Sequence, residues 1–442
     1  MVVWNLPADF LPWIAALTWP LHGRLAWRLA PLAQGALFAR GRRTVASWLR
    51  AAGLGADFPA YYYFLAAVGR CTRAIAGSLL RLALEHVGSG DRLLFALDDT
   101  PTKRYGPKVQ GAGVHRNPTP GPAGSKFLYG HLWVTLAWVV RHPRWGTLGL
   151  PLLAWLYVRA KDVPKLPARS GWAFRTKLEL AARLVAWLVG WARHLGKALW
   201  VVVDGGYAKA PFLKPALRAG VVVVGRLRKD AALRDVPPPR RPGQRGRPRV
   251  YGPNAISLAK RAGQRRGWQD AEAVLYGRRV TKAVKTFRAT WGPVGGVLRV
   301  VLVREEHTWL AFFCTDPTAS VEQVLEAVAD RAAIEQDFHD LKEVEGLGQQ
   351  QVRGLWANLG AFHVNLWVHT LVELWAWDKP KAALCDRTAS PWDDAGRRPS
   401  HADRRKALQR HCIQDEITRA AHRRPLSRKT QRLFQSLVQL LG

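Results

Sequence analysis

Between Asp91 and Gly225 the chain spells out an order of elements that few folds accommodate. LLFALDD reads as a short apolar strand, and after the Gly/Pro-rich loop VHRNPTPGPAG come two more, FLYGHLWVTLAWVV and GTLGLPLLAWLYV. FRTKLELAARLVAWLVGWARHLG then shows helical spacing, ALWVVVD is a buried strand, APFLKPALRAG a short helix and VVVVG a further strand. Three strands in a meander followed by alternating helix and strand imply a mixed sheet with helices packed on it. Asp99 and Asp204 each close a strand, at the carboxyl end where such sheets place ligand sites. Should those two strands be neighbours, the carboxylates converge without a long loop.

A third acid lies downstream. In RAAIEQDFHDLK, Arg331, Glu335 and Lys342 are spaced four and then seven apart, which puts them on one helical face, while Ile334, Phe338 and Leu341 form a stripe suited to packing on the sheet. Strand-end carboxylates joined by one from a helix gather oxygen ligands for hard divalent cations. The remainder of the chain is intensely basic, with a formal net charge of +35 over 442 residues. That balance points to a polyanionic partner, so the combination reads as phosphodiester chemistry on nucleic acid.

Other classes are set aside by simple counts. The longest apolar runs, LWVTLAWVV and LVAWLVGWA, fall short of the roughly 20 residues of a membrane span, so no membrane is expected. The start of the chain does not read as a secretory leader. Cys71, Cys314, Cys385 and Cys412 are far apart without a CxxC partner, and the 13 histidines make no HExxH or other ligand cluster. Zinc and disulfides are therefore not expected, and the expected compartment is the cytoplasm, in association with the nucleoid. Most of the 21 tryptophans lie in apolar elements and are assigned to the core, among them Trp133, Trp138, Trp155, Trp187 and Trp191.

The flanks are read as follows. Residues 1–90 form a helical N-terminal DNA-binding region, where Thr44 caps a short helix carrying Arg50, with Gly53 near its end, like the second half of a helix-turn-helix. Residues 91–230 are the first part of the core. Residues 231–318 are a basic arm, DVPPPRRPGQRGRPRVYGP, followed by a β-rich insertion. Residues 319–350 bring the core's final helix with Glu335, and 351–442 are a helical C-terminal region.

These motifs together resemble the DDE-type transposases of bacterial insertion sequences, and within them the branch whose glutamate helix carries a Y-R-E-K pattern. LLFALDDTPTKRY matches the first motif, VVVDGGYAKAPFLKPALRAGVVVVGRLRKD the second and DRAAIEQDFHDLKEVEGLG the third. The branch tyrosine would fall on Val328, so that contact is absent. The resemblance covers residues 91–350 and implies a ribonuclease H-like α/β fold, a mixed five-stranded sheet with flanking helices, a β-rich insertion and helical terminal regions. It also implies a catalytic, metal-holding trio of Asp99, Asp204 and Glu335 binding two Mg²⁺ or Mn²⁺ ions. Asp98 is the alternative first acid, since adjacent strand residues face opposite ways and only Asp99 precedes the threonine.

Arg331 and Lys342 are expected to clamp phosphate, with Arg226, Lys229, Tyr207 and Lys209 as further nucleic-acid contacts. Trp291 is expected to stack on an unpaired base, with Trp268 a weaker candidate. The implied partners are double-stranded DNA, as element ends and target, and a second copy of the chain when assembled on DNA. The alternatives are a metal-dependent endonuclease on the same fold and a transposase descendant that only binds DNA.

Overall fold

In a computed structural model of the chain, the structure describes residues 5–423, apart from 57, 89, 118–123, 241, 388–391 and 395, together with 427 and 430. The helix expected towards Gly442 and the centre of the first Gly/Pro-rich loop lie outside the described residues.

Five helices open the chain: α1 (Leu11–Thr18), α2 (Gly23–Ala26), α3 (Leu29–Phe38), α4 (Val45–Ala51) and α5 (Phe58–Val87). Thr44 caps α4 as expected, its hydroxyl accepting from the Ser47 N–H at 3.1 Å. The helix buries Val45, Trp48 and Leu49 and leaves Arg50 exposed. Gly35 on α3 lies against the Trp48 carbonyl with no room for a side chain, which sets how closely α3 and α4 approach.

The core sheet follows with β1 (Arg92–Lys103), β2 (Gly113–Arg116), β3 (Phe127–His142), β4 (Gly146–Tyr157), α6 (Lys177–Ala192), β5 (Ala198–Val203), α7 (Ala210–Arg218) and β6 (Val222–Arg226). Its five long strands run in the order β4-β3-β1-β5-β6, with β2 beside the first residues of β3. β3 is antiparallel to both β1 and β4, whereas β1, β5 and β6 are mutually parallel. This is the mixed α/β, ribonuclease H-like sheet the element order implies, and it places β1 directly beside β5. The interior strands are buried almost throughout, β5 with five of its six residues, which explains why ALWVVV lacks alternation.

After β6 come β7 (Leu233–Arg234), β8 (Ala255–Ile256), α8 (Leu258–Gly263), β9 (Gln269–Leu275), β10 (Arg278–Trp291), β11 (Gly296–Arg304) and β12 (Trp309–Cys314). The insertion is not a separate sheet. β12 pairs antiparallel with β6, Phe313 opposite Gly225, so all twelve strands share one ladder. Without β12, β6 would be an edge with unpaired backbone groups. Between β7 and β8 the basic arm projects as an exposed loop, closed at its base where Asp235 accepts from the backbone and side chain of Asn254 at 3.0 and 2.7 Å.

The chain returns as α9 (Val321–Asp330), α10 (Ala332–Glu343), α11 (Leu355–Ala376), α12 (Lys381–Leu384) and α13 (His401–Arg423). The single helix read from the sequence is broken at Arg331, where the Ile334 N–H bonds the Arg331 carbonyl at 3.1 Å. Helix α11 is buried on every side from Asn358 to Ala376. It crosses α5 where Gly69 meets the Trp356 carbonyl and Gly360 meets the Leu65 carbonyl, contacts that any side chain would prevent. Among the described residues no helix is long and apolar enough to cross a membrane.

Candidate active site

The parallel register of β1 and β5 ends with Leu97 opposite Val203. Asp98 and Asp204 therefore stand side by side where this pairing ends, and alternation turns Asp99 to the opposite face; β1 itself does not close at Asp99 as expected but runs on to Lys103, paired with β3. Asp204 is exposed, and its Oδ2 accepts from the Gly206 N–H at 3.3 Å, capping the turn that follows. That turn starts with two glycines, and Gly205 lies under the Arg226 carbonyl, where an added side-chain carbon would sit at 3.3 Å.

Arg331 is the hinge of the constellation. Standing between α9 and α10, it donates Nη1 to Asp98 Oδ2 at 2.8 Å and Nη2 to Glu335 one turn further on. Burial opposes its charge, yet the carboxylates of Asp98, Glu335 and Asp204 together raise its pKa above the ordinary arginine value. Burial also pushes the Asp98 carboxyl up to about 6; Arg331 and the Asp99 N–H pull it down, while Asp99 and Asp204 push it up again. Two carboxylates thus bind one guanidinium, with Asp204 near enough to act on its charge, and the group keeps an excess of negative charge. Such an all-oxygen, partly solvated donor set fits a hard divalent cation.

The first-strand acid singled out from the sequence, Asp99, has other partners. Its Oδ1 accepts from the Tyr207 hydroxyl at 2.7 Å, and its two oxygens accept from Lys177 Nζ at 3.2 and 3.1 Å. Lys177 opens α6, whose start is fixed by a capping box between Thr176 and Glu179. Tyr207 is buried, and burial followed by Asp99 raises its phenol pKa well above the usual value. Its hydroxyl is thus spent on a carboxylate inside the protein rather than offered to DNA, which corrects the expected role. Lys177 escaped the sequence reading because its only signal is its place at a helix start.

The expected cations are distributed over two open cavities. Arg226 and Lys229 line one of about 440 Å³ with Gly205, the neighbour of Asp204; Lys229 bonds Thr308 Oγ1 at 2.8 Å and lies over the Trp309 ring. Lys209 is exposed just before α7. Lys342 lies further along α10, half-buried with its pKa lowered by burial. It lines a separate cavity of about 1160 Å³ with Arg42, Lys103 and Tyr105. Trp291 does not join either group: it is 8% exposed and packs edge-on against Phe313 at 5.6 Å. It is a core residue of the insertion, so its expected base-stacking role is withdrawn. Trp268 lies between the Arg304 guanidinium at 4.4 Å and the Lys285 ammonium at 4.9 Å.

Among the described residues, one group of three His, Cys, Asp or Glu side chains has its ligand atoms within 4.8 Å of one another, and it lies elsewhere: His369, Glu373 and His401. Asp98, Asp204 and Glu335 are more widely set, with Arg331 between Asp98 and Glu335. The buried histidine group is the ligand cluster that sequence spacing did not disclose. Its only sequence trace is His369 and Glu373 four apart on α11, with His401 far down the chain.

The family described as DDE superfamily endonuclease matches residues 22–291. The matched stretch includes Asp98, Asp99 and Asp204 and ends with β10, before Glu335. No curated protein matches the chain. With well over half of its length matched around these acids, the chain belongs to the DDE superfamily endonucleases.

Proposed function

We propose that the chain is a DNA transposase of the insertion-sequence type, cutting the element's ends and joining them to target DNA at one site. The observation that carries the reading is Arg331 tying Asp98 on β1 to Glu335 on α10, beside Asp204 at the end of the parallel neighbour β5. In this reading Asp98, rather than Asp99, is the metal-holding acid of β1, because its face is the one that meets α10. Asp98, Asp204 and Glu335 would hold two Mg²⁺ or Mn²⁺ ions, which would supply activation of the attacking water or 3′-hydroxyl and stabilisation of the leaving oxygen.

The chain's own residues then divide the work. Asp99, clamped by Lys177 and Tyr207, holds this part of β1 rigid so that the adjacent Asp98 is fixed in direction. Arg331 balances the carboxylates while no phosphate is present and can donate two parallel hydrogen bonds to a phosphate that reaches the site. Arg226, Lys229 and Lys209 lie on the Asp204 side and contact the sugar-phosphate backbone as point charges or forks. Lys342, with Arg42 and Lys103, tracks the strand away from the site along the second cavity. The net charge of +35 supplies the long-range attraction for DNA, and two copies assemble on paired ends.

Incubation with DNA carrying terminal inverted repeats and Mg²⁺ tests the reading. End-specific nicks followed by joined products are expected. Cutting without regard to ends leaves an endonuclease, and a mobility shift without cutting leaves a DNA-binding protein.

A further inference from the structure

On the far side of α10 from Glu335, side chains from two helices converge. His369 and Glu373 stand one turn apart on α11, and His401 is the first residue of α13. Their ligand atoms all lie within 4.8 Å of one another, and the two imidazoles stack at 3.9 Å. We propose that His369, Glu373 and His401 form a structural binding site for a borderline divalent cation, Zn²⁺, separate from the site of DNA cleavage. Two imidazoles and a carboxylate are donors that Zn²⁺ accepts, whereas Mg²⁺ prefers oxygen alone.

Orphaned atoms are the second, independent observation. His369 is 2% exposed, and neither of its ring nitrogens has a hydrogen-bond partner. Asp337 Oδ2 and Glu345 Oε2 are likewise buried without partners. Each such atom costs about 1–3 kcal/mol when left unsatisfied, and a native fold keeps few of them together. His369, Glu373, His401 and Asp337 all line one cavity of about 850 Å³, so an ion can reach the cluster.

Without an ion, His401 lies between Glu373, 2.7 Å from Nδ1, and Glu345, 3.0 Å from Nε2. Burial opposes its protonation, but these two hydrogen bonds hold its pKa up at about 9. Burial, with Glu373 and Asp340, raises the Asp337 carboxyl pKa well above its usual range. Arg404 and Arg405 pair with Glu373 and Glu345. Each arginine beside the cluster is thus held by a carboxylate. Glu345 lies just past the end of α10, so the site would pin the chain that leaves the Glu335 helix to α11 and α13.

Co²⁺ is the probe, titrated into the intact chain carrying Asp204→Asn, with excess Mg²⁺ present to occupy Asp98 and Glu335. The expected result is one Co²⁺ per chain with four-coordinate visible absorption and displacement by Zn²⁺. His369→Leu loses no hydrogen bond and is expected to keep its thermal midpoint in EDTA, while weakening Co²⁺ at least about a hundred-fold. Should that variant not fold, His369→Asn is read in the same way. Absence of Co²⁺ binding in the intact chain, or binding that both variants leave unchanged, would overturn the proposal. Neither outcome bears on DNA cleavage, which is scored separately.

Discussion

Helix α10 is flanked by two clusters of acids that share a helix and little else. On one side, Asp98, Asp204 and Glu335 gather about a single guanidinium; Asp204 and Glu335 are open to solvent, the Glu335 side chain at 56% exposure, and Asp98 is part-buried. On the other, Glu345 and Glu373 are buried and answered by Arg404, Arg405 and His401. An open cluster with surplus negative charge can exchange partners cheaply, as a reaction on DNA demands. A buried and compensated one resists exchange, because separating any pair leaves a charge in a poorly polarisable interior. Solvent access, more than residue type, thus separates the acids suited to chemistry from those suited to holding helices together.

The contrast can be broken at several points. Asp98→Asn, Asp204→Asn and Glu335→Gln should each lower Mg²⁺-dependent cleavage at least about a thousand-fold, several kcal/mol of transition-state stabilisation, with DNA binding in a mobility-shift assay nearly unchanged. If Asp99→Asn proves the more damaging of the two β1 variants, the assignment of faces is reversed. In the buried cluster, Glu373→Ala strands Arg404 and His401, and denaturant unfolding should show a loss of about 3–5 kcal/mol. The same loss after Asp204→Asn would erase the distinction between the clusters.

Acidity sharpens it further. His401 has a folded pKa of about 9, above its unfolded value of 6.5. Its contribution is fully present below pH 6.5 and is lost as pH rises through 9, a fall in stability of roughly 3 kcal/mol. The groups facing it are Glu345, Glu373, Arg404, Arg405, His369 and Asp337. His369, lowered to about 3 by burial and then by His401, contributes in the opposite direction and in a lower window, between pH 3 and 6.5. Urea unfolding across pH 6.5–9 should show the decline, and His401→Gln should flatten it. The smallest effect concerns the rim: Lys229→Ala or Lys342→Ala should weaken DNA binding by about 1 kcal/mol and reduce the slope of log affinity against log salt by about one.

Much of this was legible beforehand, for reasons tied to particular residues. The strand-helix order from Asp91 to Gly225 could be read because each element carries its own period and its own punctuation, and Thr44 declared the start of α4 by its capping chemistry. The alternation rule said that Asp98 and Asp99 face opposite ways, but not which face α10 would cover, since that depends on a contact 233 residues away. The break at Arg331 lies among good helix formers and left no local sign. Trp291 was misjudged because TWGPVGG looks like an exposed turn, whereas the ring folds back onto Phe313. The histidine cluster was hidden because His401 joins α11 only through tertiary packing.

The pairing of β12 with β6 has a mechanical consequence. Because backbone hydrogen bonds bridge the insertion directly to the strand beside Asp204, the two cannot swing apart as bodies on a tether would. The spacing from insertion to cleavage centre is built in like the gap of a fixed jaw. A substrate reaching both therefore meets a surface of fixed spacing.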